Sequence, residues 1–189
     1  MKKGIQLVFL AASSLTLFTL TEPSISTSNT STVQAKTIKH GKYTFNNKGH
    51  GTYKTNKATF KITNVKVMPS AEDNKQVMVF ECDITNNSKK EFDLVGDVNA
   101  YEFIHAYQKT STSNKSLLPG SVGSDSNADS LEKDRDDVMM NDSVLPGKTV
   151  QGEFSFTLVN DKNVKLKFAD SNYTNFANKS YKVTPQVTQ

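Results

Sequence analysis

The sequence predicts an all-β fold, an antiparallel β-sandwich, from three observations. Apolar and polar side chains alternate along Gln76–Thr85 and along Thr149–Val159, which is the period of two that is typical of strands. Clusters of Asn, Ser, Gly and Pro separate these segments from further short apolar runs, and such clusters mark turns. Helical periodicity is confined to the region around Ser130–Met140. We therefore expect about seven short strands and one short helical segment in a long loop.

The first of these segments, Gln76–Thr85, has one apolar face that contains the only cysteine. The members of that face are Met78, Phe80, Cys82 and Ile84. A thiol in such a row is most often an inert packing group. No His or cationic residue is adjacent to Cys82 in the sequence to lower its pKa. We therefore expect Cys82 to be buried and unreactive.

The second segment, Thr149–Val159, predicts a strand with one buried face and one face in water. Pro146 and Gly147 form the turn before it. The apolar face consists of Val150, Gly152, Phe154, Phe156 and Leu158, and the polar face of Gln151, Glu153, Ser155 and Thr157. The other candidate strands are Ala58–Val67, Val98–Tyr107, Val164–Phe168 and Tyr181–Val183, with Lys42–Phe45 as a weaker one.

The N-terminus has the layout of a secretory signal peptide. Lys2 and Lys3 precede an apolar run, and a Ser/Thr-rich stretch then ends in "TVQAK", with Val33 and Ala35 as the small residues before the cut. We expect cleavage after Ala35. The alternative is an uncleaved anchor, because an apolar run of about 17 residues lies near the lower limit for spanning a bilayer. No cysteine stands directly after the cleavage site, as lipid anchoring would require, and no apolar tail ends the chain, so we expect a secreted, extracellular protein without a stable membrane anchor.

The expected organisation is a signal peptide over residues 1–35, an N-terminal extension or first hairpin over 36–57, and the sandwich over 58–185. The leader carries Lys2, Lys3 and Glu22, so the formal net charge falls from +4 to +3 on cleavage. The basic residues are scattered and include a single Arg, Arg135, so we predict no nucleic-acid partner. One cysteine also excludes an internal disulfide.

The acidic stretch "SDSNADSLEKDRDD" raises the question of a metal site. Asp125, Asn127 and Asp129 have the D-x-N-x-D spacing that opens a calcium loop, and Asp136 occupies its twelfth position. However, Ser130 stands where that loop requires a Gly for its sharp turn. We therefore expect calcium binding no tighter than millimolar. No cofactor is predicted.

The alternative for this stretch is an exposed loop that leads into a capped helix, and we favour it. Asp129 would cap the helix and Glu132 would complete a capping box. Leu131, Val138 and Met139 would then face the sandwich.

The stretch "YEFIHAY" supplies the candidate partner-binding residues, which are Tyr101, Phe103, His105 and Tyr107. On an exposed sheet face this row would suit stacking on sugars or contact with a protein. The alternative is that the row faces the core, on the side opposite Ala100, Ile104 and Ala106. The bulk of the aromatic rings favours that alternative.

Four stretches resemble the immunoglobulin-like domain of unknown function found in exported proteins and lipoproteins of Gram-positive bacteria. They are "FKITNVKVM", "VMVFECDITNNSKKEF", "VNAYEFIHAYQ" and "VLPGKTVQGEFSFTLVND". The matching motif positions are Thr85, Asn86 and Ser88; Tyr107 and Gln108; Pro146, Gly147 and Thr149; and Phe156, Leu158 and Asp161. The resemblance implies an immunoglobulin-like sandwich over roughly Ala58–Thr184 and no catalytic residues. This chain departs from the many relatives that are lipoproteins, because it lacks the lipobox cysteine.

These observations predict a secreted, non-enzymatic immunoglobulin-like module that binds an extracellular protein, a glycan or a cell-envelope component. The alternative is a calcium-dependent extracellular factor or a hydrolase that uses the acidic loop Asp125–Asp137. The sequence contains no G-x-S-x-G, P-loop or H-E-x-x-H motif. An enzyme should have a cleft with at least two convergent, perturbed carboxylates, whereas a binding module should expose an aromatic or loop patch.

Overall fold

The computed structural model describes residues 35–123 and 130–184. Within these ranges the chain forms twelve strands and two helices. The strands are β1 Thr37–His40, β2 Tyr43–Asn46, β3 Thr52–Lys54, β4 Ala58–Pro69, β5 Gln76–Asn86, β6 Phe92–Asp93, β7 Ile104–Lys109, β8 Asn114–Ser116, β9 Ser143–Val144, β10 Thr149–Thr157, β11 Val164–Ala169 and β12 Asn175–Tyr181, and the helices are α1 Ala100–Phe103 and α2 Ser130–Asn141. Neither helix is long and apolar enough to cross a membrane.

The strands form two large antiparallel sheets and one small one. The six-stranded sheet has the order β1-β2-β3-β4-β5-β10, the four-stranded sheet has the order β12-β11-β7-β8, and β6 pairs with β9. The segment expected to be an N-terminal extension or first hairpin forms β1, β2 and β3 of the larger sheet. The expected count of about seven strands was too low, because five strands of two to four residues (β1, β3, β6, β8 and β9) carry too little periodicity to be predicted.

Aromatic side chains join the two large sheets across a common core. Phe45 on β2 stacks on Phe168 on β11 with ring centroids 4.1 Å apart, and Phe80 on β5 meets Tyr181 on β12 edge to face at 5.1 Å. The Tyr53 hydroxyl donates a 2.6 Å hydrogen bond to the carbonyl of Ala169 in the opposite sheet. A buried tyrosine needs such a partner for its hydroxyl, so this bond also fixes the position of one sheet on the other.

β5 is buried on both faces. The predicted apolar row from Met78 to Ile84 faces the four-stranded sheet, as expected, and Cys82 within it is 1% exposed. On the opposite face Val77, Val79 and Glu81 are buried as well. The expectation that the polar face of β10 lies in water is wrong for Glu153, Ser155 and Thr157, all of which are buried. α2 packs on β10 from that side, a tertiary contact that the alternation of the strand cannot reveal.

The free edge of β10 is covered by the segment that follows β8. The amide of Thr157 donates to the carbonyl of Leu118 (3.0 Å), and the amide of Gly120 donates to the carbonyl of Ser155 (3.2 Å). A Cβ at Gly120 would lie 2.6 Å from Val77 Cγ1, so only glycine allows this close approach. The covering segment thus satisfies backbone groups that an open edge would leave for another chain.

Two residues of the motif on which the family resemblance rests, Asn86 and Gln108, stabilise turns through side-chain hydrogen bonds. The buried side-chain amide of Asn86 donates to the carbonyls of Lys90 (2.8 Å) and Val144 (2.7 Å). At the other end Gln108 donates to the carbonyls of Asn160 (2.9 Å) and Lys162 (2.6 Å). These motif positions therefore act in packing and turn formation.

Two predicted strands differ from the structure. The expected strand Val98–Tyr107 begins instead as the short helix α1, because the Asn99 side chain accepts a hydrogen bond from the amide of Tyr101 (3.0 Å) and caps the turn. The last strand runs over Asn175–Tyr181 rather than Tyr181–Val183. The predicted helix around Ser130–Met140 is confirmed as α2.

The burial of Cys82 generates a stability prediction. Its thiol lies 3.6 Å from the carbonyl oxygen of Gly152, and burial raises the pKa of the thiol. We expect Cys82→Ser to lower the free energy of unfolding by about 1–3 kcal/mol, because a more polar hydroxyl is placed in an apolar row. Urea denaturation measures this loss, with Cys82→Ala as the control that removes the sulfur without adding a hydroxyl. Rapid labelling of the native protein by a thiol reagent would contradict the buried placement.

Candidate functional site

The predicted aromatic row is divided by the structure into two parts. Tyr101 and Phe103 lie in α1, whereas His105 and Tyr107 lie on β7. The expectation that the row faces the core is wrong for the β7 pair, because Ile104, Ala106 and Gln108 are the inward-facing residues of that strand. His105 and Tyr107 are half-buried on the opposite face.

Tyr101 has a structural contact that the sequence did not indicate. Its hydroxyl accepts a 3.1 Å hydrogen bond from the amide of Ser155 on the edge strand β10. Its ring packs edge to face on Phe156 at 5.5 Å. Tyr101 therefore fastens α1 to β10 and is not part of an exposed stripe.

The outward face of the four-stranded sheet forms the first candidate site, which we term the open face and define by His105, Tyr107, Lys109, Lys165 and Lys167. In the antiparallel register Lys165 lies opposite Tyr107 and Lys167 opposite His105. The Lys167 ammonium sits 4.3 Å from the centroid of the Tyr107 ring, a cation–π contact. None of the residues in β7, β8, β11 and β12 is acidic. The open face therefore combines aromatic rings with positive charge.

The predicted calcium residues are only partly placed. Asp125, Asn127 and Asp129 lie outside the described residues, as does the predicted cap contact of Asp129, whereas Asp136 is an exposed residue of α2. Of the side chains expected to face the sandwich, Met139 is buried and Val138 half-buried, but Leu131 is 51% exposed. Glu132, expected to complete a capping box, is instead a buried side chain that pairs with a lysine on the sheet.

The second candidate site is a group of charged side chains between α2 and the six-stranded sheet. We term it the α2 cluster, and its members are Lys66 on β4, Glu81 on β5, Glu132 and Arg135 on α2, and Glu153 on β10. Lys66 Nζ lies 2.7 Å from Glu81 Oε1 and also bonds to Glu132 Oε1. Arg135 Nη1 lies 3.2 Å from Glu81 Oε1 and 3.6 Å from Glu132 Oε1. Both cations of the cluster are thus bonded to Glu81 and Glu132.

A β-bulge places Lys66 in this cluster. The register of β4 against β5 shifts between Ile62 and Asn64, and Thr63 at the bulge donates its hydroxyl to the carbonyl of Glu81 (3.2 Å). Ile62 and Val67 both belong to the core, although they are five positions apart, a spacing that places two residues of a regular strand on opposite faces. An extra residue reverses the alternation of a strand, so the bulge turns Lys66 to the side that faces α2.

Glu153 is the carboxylate of the cluster that lacks a cation. It lies directly opposite Glu81 in the register of β10 and β5, and like charges in such a pair repel each other. It is 6% exposed, and its Oε2 has no hydrogen-bond partner among the described residues. Burial, together with the nearby negative charge of Glu132, raises the pKa of Glu153 from 4.5 to about 7. In Glu81 the opposite occurs: burial alone would raise the pKa, but the hydrogen bond from Lys66 and the charges around it lower it overall.

A small cavity of about 100 Å³ opens beside the cluster. Glu132, Asp136, Glu153 and Ser155 line it, together with Ser121–Gly123 and Lys133. Oε2 of Glu132, a residue 3% exposed, also lacks a hydrogen-bond partner among the described residues. Residue spacing did not indicate this site, because Glu153 and Glu81 meet only through the register of two strands that are distant in the chain.

Comparison with known proteins gives the chain a family but no activity. Residues 26–170 match the family described as a domain of unknown function (DUF5067), and the chain belongs to that family. This confirms the coarser part of the resemblance drawn from the motifs, namely a domain family of unknown function. A search of curated proteins finds no match.

Two solved structures from Gram-positive bacteria share the fold. A predicted lipoprotein of Staphylococcus aureus is 20% identical with a TM-score of 0.58, and the match covers 78% of this chain and 92% of that chain. A protein of Enterococcus faecalis, solved by NMR, is 18% identical with a TM-score of 0.55, covering 78% of this chain and 94% of that chain. At these identities the likeness concerns the fold alone.

The raised pKa of Glu153 generates a pH-dependent stability prediction. The carboxyl is protonated in both the folded and the unfolded chain below about pH 4.5, so it imposes no penalty there, and the penalty is complete above about pH 7. We therefore expect Glu153→Gln to raise the free energy of unfolding by about 1–3 kcal/mol at pH 8 and to have little effect at pH 4.5. Denaturation in metal-free buffer at both pH values measures the difference.

Glu81→Gln is the control with the opposite sign. It removes one carboxylate partner from two half-buried cations, Lys66 and Arg135, so it should destabilise the protein at pH 7. A Glu153→Gln variant that is destabilised at pH 8 would show that Glu153 is ionised and well paired in the folded protein.

Proposed function

We propose that this chain is an exported, non-enzymatic binding module whose open face binds a negatively charged extracellular glycan. The observation that carries the proposal is the pairing of Tyr107 and His105 with Lys165 and Lys167 on a sheet face that has no acidic residue. Such a face offers rings for contact with sugars and fixed positive charges for anionic groups.

The position of the charges supports an anionic partner. The overall charge of the protein is small, +4 for the full sequence, so charge at the open face is a local feature. Lys109 and Lys165 are exposed and Lys167 is half-buried, which leaves their ammonium groups available to an approaching anion. Positive charges at the edge of a binding surface mainly raise the rate of association with an anionic partner and make binding salt-dependent.

Export is part of the same proposal. The N-terminal leader has the layout of a signal peptide, and one structural neighbour is described as a predicted lipoprotein. Directly after the expected cleavage site, the amide of Lys36 donates a 2.7 Å hydrogen bond to Asn47 Oδ1. We infer that the mature chain starts at Lys36 and acts outside the cell.

The immunoglobulin-like assignment also belongs to this proposal. Two antiparallel sheets that pack on one core support it. The larger sheet departs from the usual seven-stranded pattern, because five of its six strands follow one another in the sequence. We infer a divergent immunoglobulin-like sandwich with an added N-terminal hairpin.

The dimensions of the second site support a non-enzymatic role. A hydrolase would use two convergent carboxylates, and Glu132 and Glu153 line one cavity together. That cavity, of about 100 Å³, is well below the roughly 300–1,000 Å³ of sites that bind small molecules. Its volume argues against a sugar ring or a peptide segment as its ligand.

The proposal is tested by binding of the mature chain, residues 36–189, to dextran sulfate, with neutral dextran as the uncharged control. We expect binding to dextran sulfate at low salt that weakens at least about tenfold in the double variant Lys165→Glu/Lys167→Glu. Lys39→Glu/Lys54→Glu, which makes the same change of charge at exposed lysines of β1 and β3, should leave the affinity unchanged. Tyr107→Ala should also weaken binding, because the ring that holds Lys167 is lost.

Two outcomes would count against the open face. One is equal loss of affinity in Lys39→Glu/Lys54→Glu and in Lys165→Glu/Lys167→Glu, which would indicate general charge attraction. The other is binding to an acidic protein such as polyglutamate with no binding to the glycan, which would replace the proposed class of partner.

A further inference from the structure

The cavity beside the α2 cluster has two carboxylate oxygens without partners. Glu132 Oε2 and Glu153 Oε2 are both buried and have no hydrogen-bond partner among the described residues, and both side chains line the same cavity. Each belongs to a residue that is more than nine-tenths buried. Buried carboxylate oxygens are ordinarily paired, because leaving them unpaired carries a large desolvation penalty.

The charges that surround these oxygens sum to a local excess of negative charge. The cluster contains three buried carboxylates, of Glu81, Glu132 and Glu153, and two cations, of Lys66 and Arg135. Asp136 adds a further carboxylate at the cavity wall. Lys133 also lines the cavity, but its side chain is exposed and is free to point into water. With Asp136 included, the carboxylates exceed the two cations of the cluster by two charges, which a divalent cation would balance.

We propose that Glu132 and Glu153 bind a hard divalent cation of the calcium class in this cavity, between α2 and the six-stranded sheet. Among the residues that line the cavity, the side chains that can bind a cation all carry oxygen, namely three carboxylates and the hydroxyls of Ser121 and Ser155. Oxygen donors select calcium and magnesium over softer metals. Calcium accepts six to eight mixed oxygen ligands in flexible geometry, including water, which suits two carboxylates on different elements.

The size of the cavity and the number of acids set the expected affinity. A volume of about 100 Å³ accommodates an ion and several waters. Among the described residues no three His, Cys, Asp or Glu side chains form a ligand group, so neutral oxygens and water would complete the coordination. A site with two carboxylates belongs to the weak end of the range, with a Kd of about 0.1–1 mM as in extracellular calcium modules.

Binding of the cation would link α2 to the sheet. Glu132 is on the helix and Glu153 is on β10, so one ion bonded to both would hold the two elements together. Because a carboxyl must lose its proton to bind a metal, calcium affinity should fall as the solution is made acidic.

The test is calorimetric titration of the mature chain with calcium chloride at pH 7.5. We expect a Kd of about 0.1–1 mM, a rise in melting temperature of a few degrees at about 10 mM calcium, and weakening of binding by at least about tenfold in Glu153→Gln. Glu72→Gln, at an exposed acid on the β4–β5 turn, is the matched control and should bind as the wild type does. Glu153→Gln replaces a carboxyl that lacks a partner, so it should fold.

Further variants separate this site from the acidic loop. Asp125→Ala/Asp129→Ala should retain calcium binding, because the proposal places the carboxylate ligands on Glu132 and Glu153. Calcium binding that is lost in this double variant and kept in Glu153→Gln would overturn the proposal. The proposal would also be overturned if calcium up to about 10 mM produced no heat and no change in melting temperature at both pH 6 and pH 8. That result would mean that the cavity binds a proton only.

Discussion

The structure depends on the burial of β5 on both of its faces. On one face the row from Met78 to Ile84 packs into the core shared with the four-stranded sheet. On the other face Val77 and Val79 are as deeply buried. A strand buried on both sides needs a cover on each, and in this chain the second cover is provided by α2 and by the segment that runs along β10.

The second cover buries charged side chains, and the ion pairs of the α2 cluster compensate only some of these charges. Glu81 and Glu153 lie side by side on the covered face, so two carboxylates are removed from water together. Lys66 and Arg135 neutralise Glu81 and the helix residue Glu132. The burial of β5 therefore leads directly to a carboxyl, that of Glu153, which must bind a proton or a cation. The open face lies on the other sheet and shares no residue with this cluster. Binding at the open face and cation binding under α2 can therefore be separate properties.

The sequence predicted the long strands well because their signal is local. The side chains of β5 and β10 follow a period of two over nine or more residues, and this pattern alone predicts that Phe80 and Phe154 lie in the core. The boundary at Asn99 was missed because a single cap converts the start of an alternating stretch into a helical turn. Glu153 was predicted to be exposed, because the residue pattern of β10 carries no information about the helix that covers this strand.

The α2 cluster could not be predicted for a related reason. It requires the register of β5 against β10, which brings Glu81 and Glu153 together, and the bulge at Thr63, which turns Lys66 toward them. Neither is apparent from residue spacing. The expected calcium residues Asp125, Asn127 and Asp129 lie outside the described residues, and the structure draws attention instead to two glutamates that the spacing rules of a calcium loop do not include.

The most direct test of this account is the titration of the Glu153 carboxyl itself. Carbon-13 NMR of the side-chain carboxyl, assigned by comparison with Glu153→Gln, reports its protonation in metal-free buffer. The account predicts an apparent pKa near 7, with a midpoint that moves to lower pH when calcium is added. A midpoint at or below the ordinary value of 4.5 in the absence of metal would contradict it, because Glu153 would then be a fully compensated carboxylate and the cluster would have no need of a further positive charge.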